Sequence, residues 1–469
     1  MAIRMVYESA SPLRRAFARE VADDEISQKE PRLELQNVVI VDGARSAFGR
    51  GGRGKLVATR LDNAAAEVLK ALLDRNPKVK PAMVEDIGLG NVGGIAEFRG
   101  NIYGDTIARL TGLPAEVSAF DTNRQCGSSM ETLHRVAQSI MVGATECGVA
   151  MGVERMGRQL GGGGGAPPAT NRLTEFNKRR LEQNDVQRNM AANHFEDFSV
   201  EFPAEILDYS PVLSMVQTAQ NVAEVYDLSR EDLDQFSVDS HRKTVEAYEK
   251  GIYKDEIIAL EVEEPVFNDE GAWVPEEVGK RIVFDRDECV RPGTNVEALG
   301  QLPTVKGIVS PTNSELRITA GNSCPTNDGI TAAILMSEKR AAELGLTPLA
   351  RIVGYGVSGV KPQVMGLGPI PSTKKALRHA GIEAGQIDRV EFNEAFAAQV
   401  IPSCGELGIS MDRVNVNGGS VAIGHPLGAT GTRLVLTVAH ELRRSGGKYG
   451  LATQCIGAGM GISTIIEAV

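Results

Sequence analysis

Apolar segments typical of strands alternate with helix-spaced segments at both ends of the chain, and this alternation constrains the fold more than any other feature. In the first part a helix is predicted over 61–75 and another directly after Cys126. The strand-like segments are residues 37–50, 84–92, 117–125 and 146–154. Strands that alternate with helices in this way predict a layered α/β fold.

The same order of elements returns near the C-terminus, in pattern and not in residue identity. It consists of a strand over 350–359, a helix over 371–382, a strand over 389–397, a long segment over 414–446 and two apolar segments flanking a glycine turn over 449–469. The composition differs between about 156 and 320, where five consecutive glycines occur and helices are predicted over 214–228 and 229–251. The sequence therefore predicts two similar halves with an excursion between them.

Composition excludes several classes of protein. The 469 residues carry a formal net charge of −11, which argues against a nucleic-acid surface. The six cysteines form no C-x-x-C pair, so we expect neither a metal site nor a redox pair but free thiols in a reducing compartment. We expect residues 1–36 to form an arm and not a secretion signal. The expected location is the bacterial cytoplasm, or the mitochondrial matrix if the source is eukaryotic.

One cysteine lies in an unusual context. In the stretch "NRQCGSSM", Cys126 precedes small and polar residues at the start of a predicted helix. Small neighbours leave room for a reactant, and the free backbone N–H groups of a helix start favour a thiolate. The alternative is an unreactive buried cysteine.

Three further motifs carry chemistry-bearing residues: "NEAF" contains Asn393, "GHPLGATG" contains His425, and "CIGAGMG" contains Cys455. Taken singly, these could be a helix cap, a loop histidine and a packed thiol. Taken together with Cys126, all are predicted to lie at strand ends, where α/β folds build their sites. A nucleophile, a base, a second thiol and close backbone donors are what acyl transfer through a covalent thioester needs.

These four motifs, in this order, resemble the signatures of the thiolase family over residues 37–158 and 316–469. The resemblance implies a five-layer αβαβα core of two similar halves with an inserted loop domain, assembled as a homodimer or a dimer of dimers. The expected parts are an arm over 1–36, a first half over 37–155 completed by about 316–345, a loop domain for CoA and acyl-chain binding over 156–315, and a second half over 346–469.

The resemblance also implies the role of each residue. Cys126 would be the nucleophile that becomes acylated, and His425 would take its proton. Cys455 would protonate or deprotonate the α-carbon of the acetyl-CoA unit; a thiol suits both tasks, since its unperturbed pKa of about 8.5 lies close to working pH. Asn393 would hold a water that, with His425, binds the enolate oxygen. The backbone N–H groups of Cys126 and Gly457 would form an oxyanion hole at the acyl-enzyme carbonyl.

Coenzyme A is implied as a co-substrate, with no cofactor bound permanently. By motif match, Arg291 would contact its nucleotide end, Ala320 would lie beside pantetheine, and Met215 would line the pocket near the reacting sulfurs. Cys324 stands where the family usually has a serine that hydrogen-bonds pantetheine. Because a thiol is a poorer donor, that contact is weakened.

The function predicted from these residues is a degradative 3-ketoacyl-CoA thiolase. Two alternatives remain open: a biosynthetic acetoacetyl-CoA thiolase running the condensation, and a non-catalytic thiolase-like subunit of a complex. The insert over 157–211 is expected to serve acyl-chain selection or a partner subunit of a β-oxidation-type complex. Its glycine-rich start is poorly suited to holding a catalytic group.

Overall fold

The computed structural model of the protein describes residues 35–93, 103–157, 198–207 and 214–469. Its strands are β1 (Val38–Arg45), β2 (Gly49–Arg50), β3 (Asp86–Gly90), β4 (Ser118–Thr122), β5 (Cys147–Glu154), β6 (Leu260–Phe267), β7 (Trp273–Phe284), β8 (Asn327–Ser337), β9 (Ala350–Gly359), β10 (Arg389–Phe392), β11 (Tyr449–Ile456) and β12 (Met460–Glu467). Its helices are α1 (Leu61–Arg75), α2 (Tyr103–Thr111), α3 (Ser128–Met141), α4 (Ala204–Leu207), α5 (Met215–Val225), α6 (Arg230–Glu249), α7 (Val296–Gly300), α8 (Glu338–Glu343), α9 (Pro369–Ala380), α10 (Ala397–Leu407), α11 (Ser420–Ile423) and α12 (Leu427–Ser445).

The large sheet has two parts with the same strand order. Its path is β10-β11-β12-β9-β1-β8-β5-β3-β4, and β2 pairs with β8 beside it. From the middle outwards, the first half runs β1, β8, β5, β3 and the second runs β9, β12, β11, β10. The first half adds β4, whereas the second has only an isolated bridge from Val390 to Val414. The halves meet where β1 and β9 pair over two residues each, Val39↔Arg351 and Ile40↔Ala350.

Helices fill three layers around these two halves. Helices α3 and α12 lie between them and pack on each other; α3 contacts β3 and β5, while α12 contacts β5, β8 and β11. Helices α1 and α2 pack on the outer side of the first half, and α9 packs on β9 and β12 of the second. Separate apolar clusters fill the central and the two outer interfaces. The predicted five-layer αβαβα fold is confirmed.

The two central helices lie unusually close together. A Cβ atom on Gly431 of α12 would lie 2.4 Å from the backbone nitrogen of Met130 in α3. Nearby, the backbone N–H of Thr432 donates to the Ser129 hydroxyl at 3.0 Å, and the Thr432 hydroxyl donates to the Ser129 carbonyl at 3.2 Å. The absence of a side chain at Gly431 therefore allows two cross-helix hydrogen bonds to form.

A buried ion pair connects the excursion to the sheet. Arg45, the last residue of β1, is fully buried and donates to Glu256 at 3.1 Å and to Asp287 at 2.8 Å. Both acids belong to the excursion, which also contains α5, α6 and the β6–β7 hairpin. Removing one partner of such a pair leaves an uncompensated buried charge. The excursion is thus held to the strand that centres the sheet.

Several elements match the sequence prediction and others do not. Helix α1 has the predicted bounds, and α6 begins with a capping box at Ser229 as its sequence indicates. Strand β10 ends at Phe392 and not at 397, because the chain turns there and α10 begins at Ala397. Helix α2 was not predicted. Residues 1–34 of the predicted arm and the glycine-rich start of the insert lie outside the described residues.

We predict that Gly431→Ala destabilises the protein, because its methyl group would push α12 away from α3. Overpacking of this kind costs about 1–3 kcal/mol. Urea unfolding measures the change in the free energy of unfolding. The matched control is Gly405→Ala in α10, where an added Cβ meets nothing within 4 Å; it should be neutral or stabilising by up to about 1 kcal/mol. Equal stability of the two variants would contradict the close helix contact.

Candidate active site

The central helices bring Cys126 and His425 to equivalent positions. Cys126 lies two residues before the first residue of α3, and His425 lies two residues before the first residue of α12. The prediction that His425 lies at a strand end is wrong, because it lies between the short helix α11 and α12. Since α3 and α12 pack together, each half of the fold contributes one of these residues from the start of its central helix.

A tight turn presents Cys126. Gln125 has a left-handed backbone with φ of 48°, which is uncommon for a residue with a side chain. The turn is held by the Ser128 hydroxyl, which donates to the Gln125 carbonyl at 2.6 Å and accepts from the Arg124 N–H at 3.0 Å. Gln454 of β11 donates to the Cys126 carbonyl at 2.8 Å. These bonds hold the cysteine between α3 and β11.

The backbone N–H groups of Cys126 and of Gly457, which lies in the β11–β12 turn, lie close to the Cys126 sulfur. Burial raises the pKa of Cys126 to about 11, although these two N–H groups act to lower it. Backbone donors therefore favour the thiolate, but burial outweighs them in the free protein. The same two N–H groups are nevertheless positioned to stabilise negative charge next to this sulfur.

The β11–β12 turn carries Gly457 on a backbone with little freedom to change. Ala458 and Gly459 both have positive φ, 69° and 85°. A Cβ on Gly459 would lie 2.5 Å from the Val360 carbonyl oxygen. The glycine at 459 thus allows the turn to pack closely, and the turn directs the Gly457 N–H at Cys126.

His425 is buried and makes three hydrogen bonds. Its backbone N–H donates to Asn327 at 3.0 Å, its Nδ1 lies 2.7 Å from the Thr430 hydroxyl, and its Nε2 lies 3.3 Å from Nδ2 of Asn393. Burial, and secondly the charge of Arg433, lower the pKa of His425 to about 3. The imidazole is therefore neutral and can accept a proton.

Asn393 follows β10 directly and is fully buried. Its Oδ1 accepts from the Ser420 hydroxyl at 2.6 Å, and its backbone carbonyl accepts from Gln399 at 2.8 Å. Ser420, Gln399 and Thr430 were not predicted as site residues. Thr430 lies within the His425 motif and Ser420 lies just before it, and this proximity in the sequence could have indicated both.

Cys455 lies at the end of β11 and is fully buried. Burial, followed by the nearby thiols of Cys126 and Cys324, raises its pKa well above the ordinary value, although a hydrogen bond from Gln399 opposes this. Cys455 is therefore a protonated thiol in the free protein. Burial thus moves the pKa of Cys455 away from the unperturbed thiol value, which lies closer to working pH.

The three thiols form one group. Cys324 is half-buried; its backbone N–H donates to the Ala395 carbonyl at 3.0 Å, and its pKa is raised by burial and then by Cys126. The structure thus places the residue that replaces the family serine near both other sulfurs.

A cleft lies along the excursion. Arg291 and Ala320 both line it, as do His241, Ser323 and Val421. Pro325 lines it as well, so the cleft includes both chain neighbours of Cys324. Met215 does not line this cleft; it opens α5 and is 37% exposed.

In the described part of the chain, no group of three or more His, Cys, Asp or Glu side chains is arranged to hold a metal ion. None of the helices described there is long and apolar enough to cross a membrane.

Comparison with known proteins identifies the family. The model of the N-terminal thiolase domain matches residues 38–339, and that of the C-terminal thiolase domain matches residues 346–468. The beta-ketoadipyl-CoA thiolase of Acinetobacter baylyi is 37% identical over 93% of this chain and 100% of its own. The 3-ketoacyl-CoA thiolase of Vibrio vulnificus is 36% identical over 92% and 100%, respectively.

Solved structures agree with these sequence matches. The acetyl-CoA acetyltransferase of Bacillus anthracis superposes with a TM-score of 0.75 and 32% identity, covering 93% of this chain and 100% of that one. Human mitochondrial 3-ketoacyl-CoA thiolase in complex with CoA superposes with a TM-score of 0.72 and 31% identity, covering 93% and 99%.

The αβαβα fold and the matches over nearly all of the core define a protein of the thiolase type. The chain belongs to the thiolase family. It is an enzyme, an acyltransferase of the acetyl-CoA C-acyltransferase class.

Proposed function

We propose that the protein is a degradative 3-ketoacyl-CoA thiolase, which uses CoA to cleave a 3-ketoacyl-CoA into acetyl-CoA and a shortened acyl-CoA. The observation that carries the proposal is the grouping of the Cys126 and Cys455 thiols with the Gly457 N–H, which lies beside the Cys126 sulfur. A nucleophilic thiol beside a second proton-carrying thiol and a fixed backbone donor suits carbon–carbon cleavage through a thioester.

In the first step, Cys126 attacks the 3-keto carbon as His425 Nε2 takes the thiol proton. The raised pKa of Cys126 and the lowered pKa of His425 disfavour a resting thiolate–imidazolium pair. Proton transfer therefore accompanies attack on the substrate. The oxygen of the adduct gains negative charge and accepts hydrogen bonds from the backbone N–H groups of Cys126 and Gly457. One donor of this kind contributes about 2.7–4 kcal/mol to the transition state.

Collapse of this adduct breaks the bond between C2 and C3 and leaves an acyl group on Cys126. The electron pair passes to the departing acetyl-CoA, which becomes an enolate. Its oxygen is stabilised by the protonated His425 and by a water held on Asn393 Nδ2. Cys455 then gives its proton to C2 and releases acetyl-CoA. The raised pKa keeps Cys455 protonated until this step, and the transfer is still favourable because the carbanion is far more basic than a thiolate.

In the second step, the Cys455 thiolate takes the proton of an incoming CoA thiol. The CoA sulfur attacks the Cys126 thioester and leaves with the shortened acyl chain, while His425 returns the proton to Cys126. The order is ping-pong. CoA would occupy the cleft lined by Arg291 and Ala320, where the guanidinium suits a phosphate group.

A second candidate is the reverse reaction, in which two acetyl-CoA molecules condense to acetoacetyl-CoA. Likeness to the Bacillus anthracis acetyl-CoA acetyltransferase favours it. The same residues serve both directions. Thiolysis assays with 3-ketoacyl-CoAs of increasing length separate the two, because an enzyme restricted to acetoacetyl-CoA fits the condensing role.

We further propose a homodimer or a dimer of dimers that works in the bacterial cytoplasm or the mitochondrial matrix, alone or with a partner subunit of a β-oxidation-type complex. Strand β4 supports assembly, since it ends the sheet and its residues Ser118–Thr122 are partly or fully exposed. Open strand edges are ready surfaces for pairing.

We predict that Cys126→Ala abolishes thiolysis and formation of the acyl-enzyme, because Cys126 is the thiol beside the Gly457 N–H and would carry the acyl group. Intact-protein mass spectrometry after incubation with a 3-ketoacyl-CoA measures the adduct. Cys404→Ala is the matched control: this buried thiol lies in α10, and its removal should leave the adduct unchanged. An acyl adduct that persists in Cys126→Ala would contradict the assignment of Cys126 as the nucleophile.

We predict that Cys455→Ser and His425→Ala slow different steps. Cys455→Ser should still permit acylation of Cys126 by a simple acyl-CoA but should lose exchange of the acetyl-CoA α-protons with deuterated water, followed by NMR. His425→Ala should slow acylation itself and also weaken enolate formation. Unchanged exchange in Cys455→Ser would refute its role at the α-carbon.

A further inference from the structure

A chain of buried polar contacts extends behind the active site. Nη1 of Arg433 lies 2.6 Å from Oε2 of Glu391, and Nη2 lies 2.8 Å from the Ser420 hydroxyl. That hydroxyl lies 2.6 Å from Oδ1 of Asn393, whose Nδ2 lies 3.3 Å from Nε2 of His425. Each of these five residues is at most 3% exposed, so each contact is made away from bulk water.

The chemistry of the groups fixes the direction of each bond from the Arg433 side. A guanidinium only donates, so the Ser420 oxygen accepts from Arg433. The single hydrogen of the hydroxyl is then free for Asn393, and the 2.6 Å distance fits an O–H···O bond. The amide oxygen of Asn393 must therefore face Ser420. Its Nδ2 group, the donor, faces His425.

The bonds on the other side of His425 lead to the same arrangement. The Thr430 hydroxyl donates its hydrogen to the Pro426 carbonyl at 2.8 Å, so its oxygen accepts from His425 Nδ1–H at 2.7 Å. A neutral imidazole carries one hydrogen. Nε2 is then bare and needs a donor, and the Nδ2 group of Asn393 supplies one. The contacts on both sides of His425 thus independently place the Asn393 nitrogen towards His425 Nε2.

We propose that Ser420 is a positioning residue, which holds the Asn393 amide with its nitrogen towards His425 because Arg433 forces the Ser420 hydroxyl to donate. The inference rests on the proposed function, in which Asn393 presents a donor to the water at the enolate oxygen. A flipped amide would present its oxygen there and repel the developing charge. Ser420 itself touches no reacting atom; it acts through Asn393.

The test is Ser420→Ala, assayed by α-proton exchange of acetyl-CoA in deuterated water. Loss of one hydrogen bond should reduce the exchange rate about tenfold, with KM for acetyl-CoA unchanged. Ser420→Ala should have no further effect on exchange in an Asn393→Ala background, since the residue it positions is then absent. Ser372→Ala is the matched control, because its buried hydroxyl bonds Ser463 at 2.8 Å outside this chain; it should exchange like the unaltered protein.

A second experiment does not depend on enzymatic activity. Urea unfolding of the two single variants and the double variant should show coupling, with a smaller midpoint shift for Ser420→Ala in the Asn393→Ala background. Additive midpoint shifts, or an equal reduction of exchange in both backgrounds, would overturn the proposal. If the unaltered protein shows no exchange, the proposed function fails, and the unfolding cycle still decides whether Ser420 and Asn393 are coupled.

Discussion

The close contact between α3 and α12 is the constraint on which the active site depends. Cys126 lies two residues before the start of α3, and His425 lies two residues before the start of α12. The distance between the helices therefore sets the distance between these two residues. Gly431 permits the approach because a methyl group there would collide with Met130. The Ser129–Thr432 hydrogen bonds then fix the relative positions of the helices. A packed interior leaves little room for either helix to shift.

Burial determines the resting charge of the site. It raises the pKa of the Cys126 and Cys455 thiols and lowers that of His425, so all three groups are neutral before substrate arrives. A neutral site avoids the cost of a buried unpaired charge in the free protein. In the proposed reaction, negative charge develops on the substrate beside donors that are already in place, notably the Gly457 N–H, and this favours the transition state over the ground state.

Local sequence predicted much of the architecture, and it indicated the residues of the candidate site, whose roles stay predictions. The apolar spacing of α1 and the cap at Ser229 are local signals, and the structure follows them. The pKa shifts and the orientation of His425 were not predictable in this way. They depend on contacts between distant parts of the chain, such as the bond from His425 to Asn327, 98 residues away. The early end of β10 has the same origin, since the chain leaves the sheet there to place Asn393.

The two halves share a strand order but have unlike tasks at equivalent positions. Cys126, the proposed nucleophile, lies at the start of α3, whereas His425 lies at the start of α12. The neutral form of His425 is favoured by burial and then by the charge of Arg433, which belongs to α12 itself. The excursion adds what neither half has, a cleft lined by Arg291, and the buried Arg45 ion pairs hold it to β1. The repeated framework thus supplies rigidity, and the differences between its halves supply the chemistry.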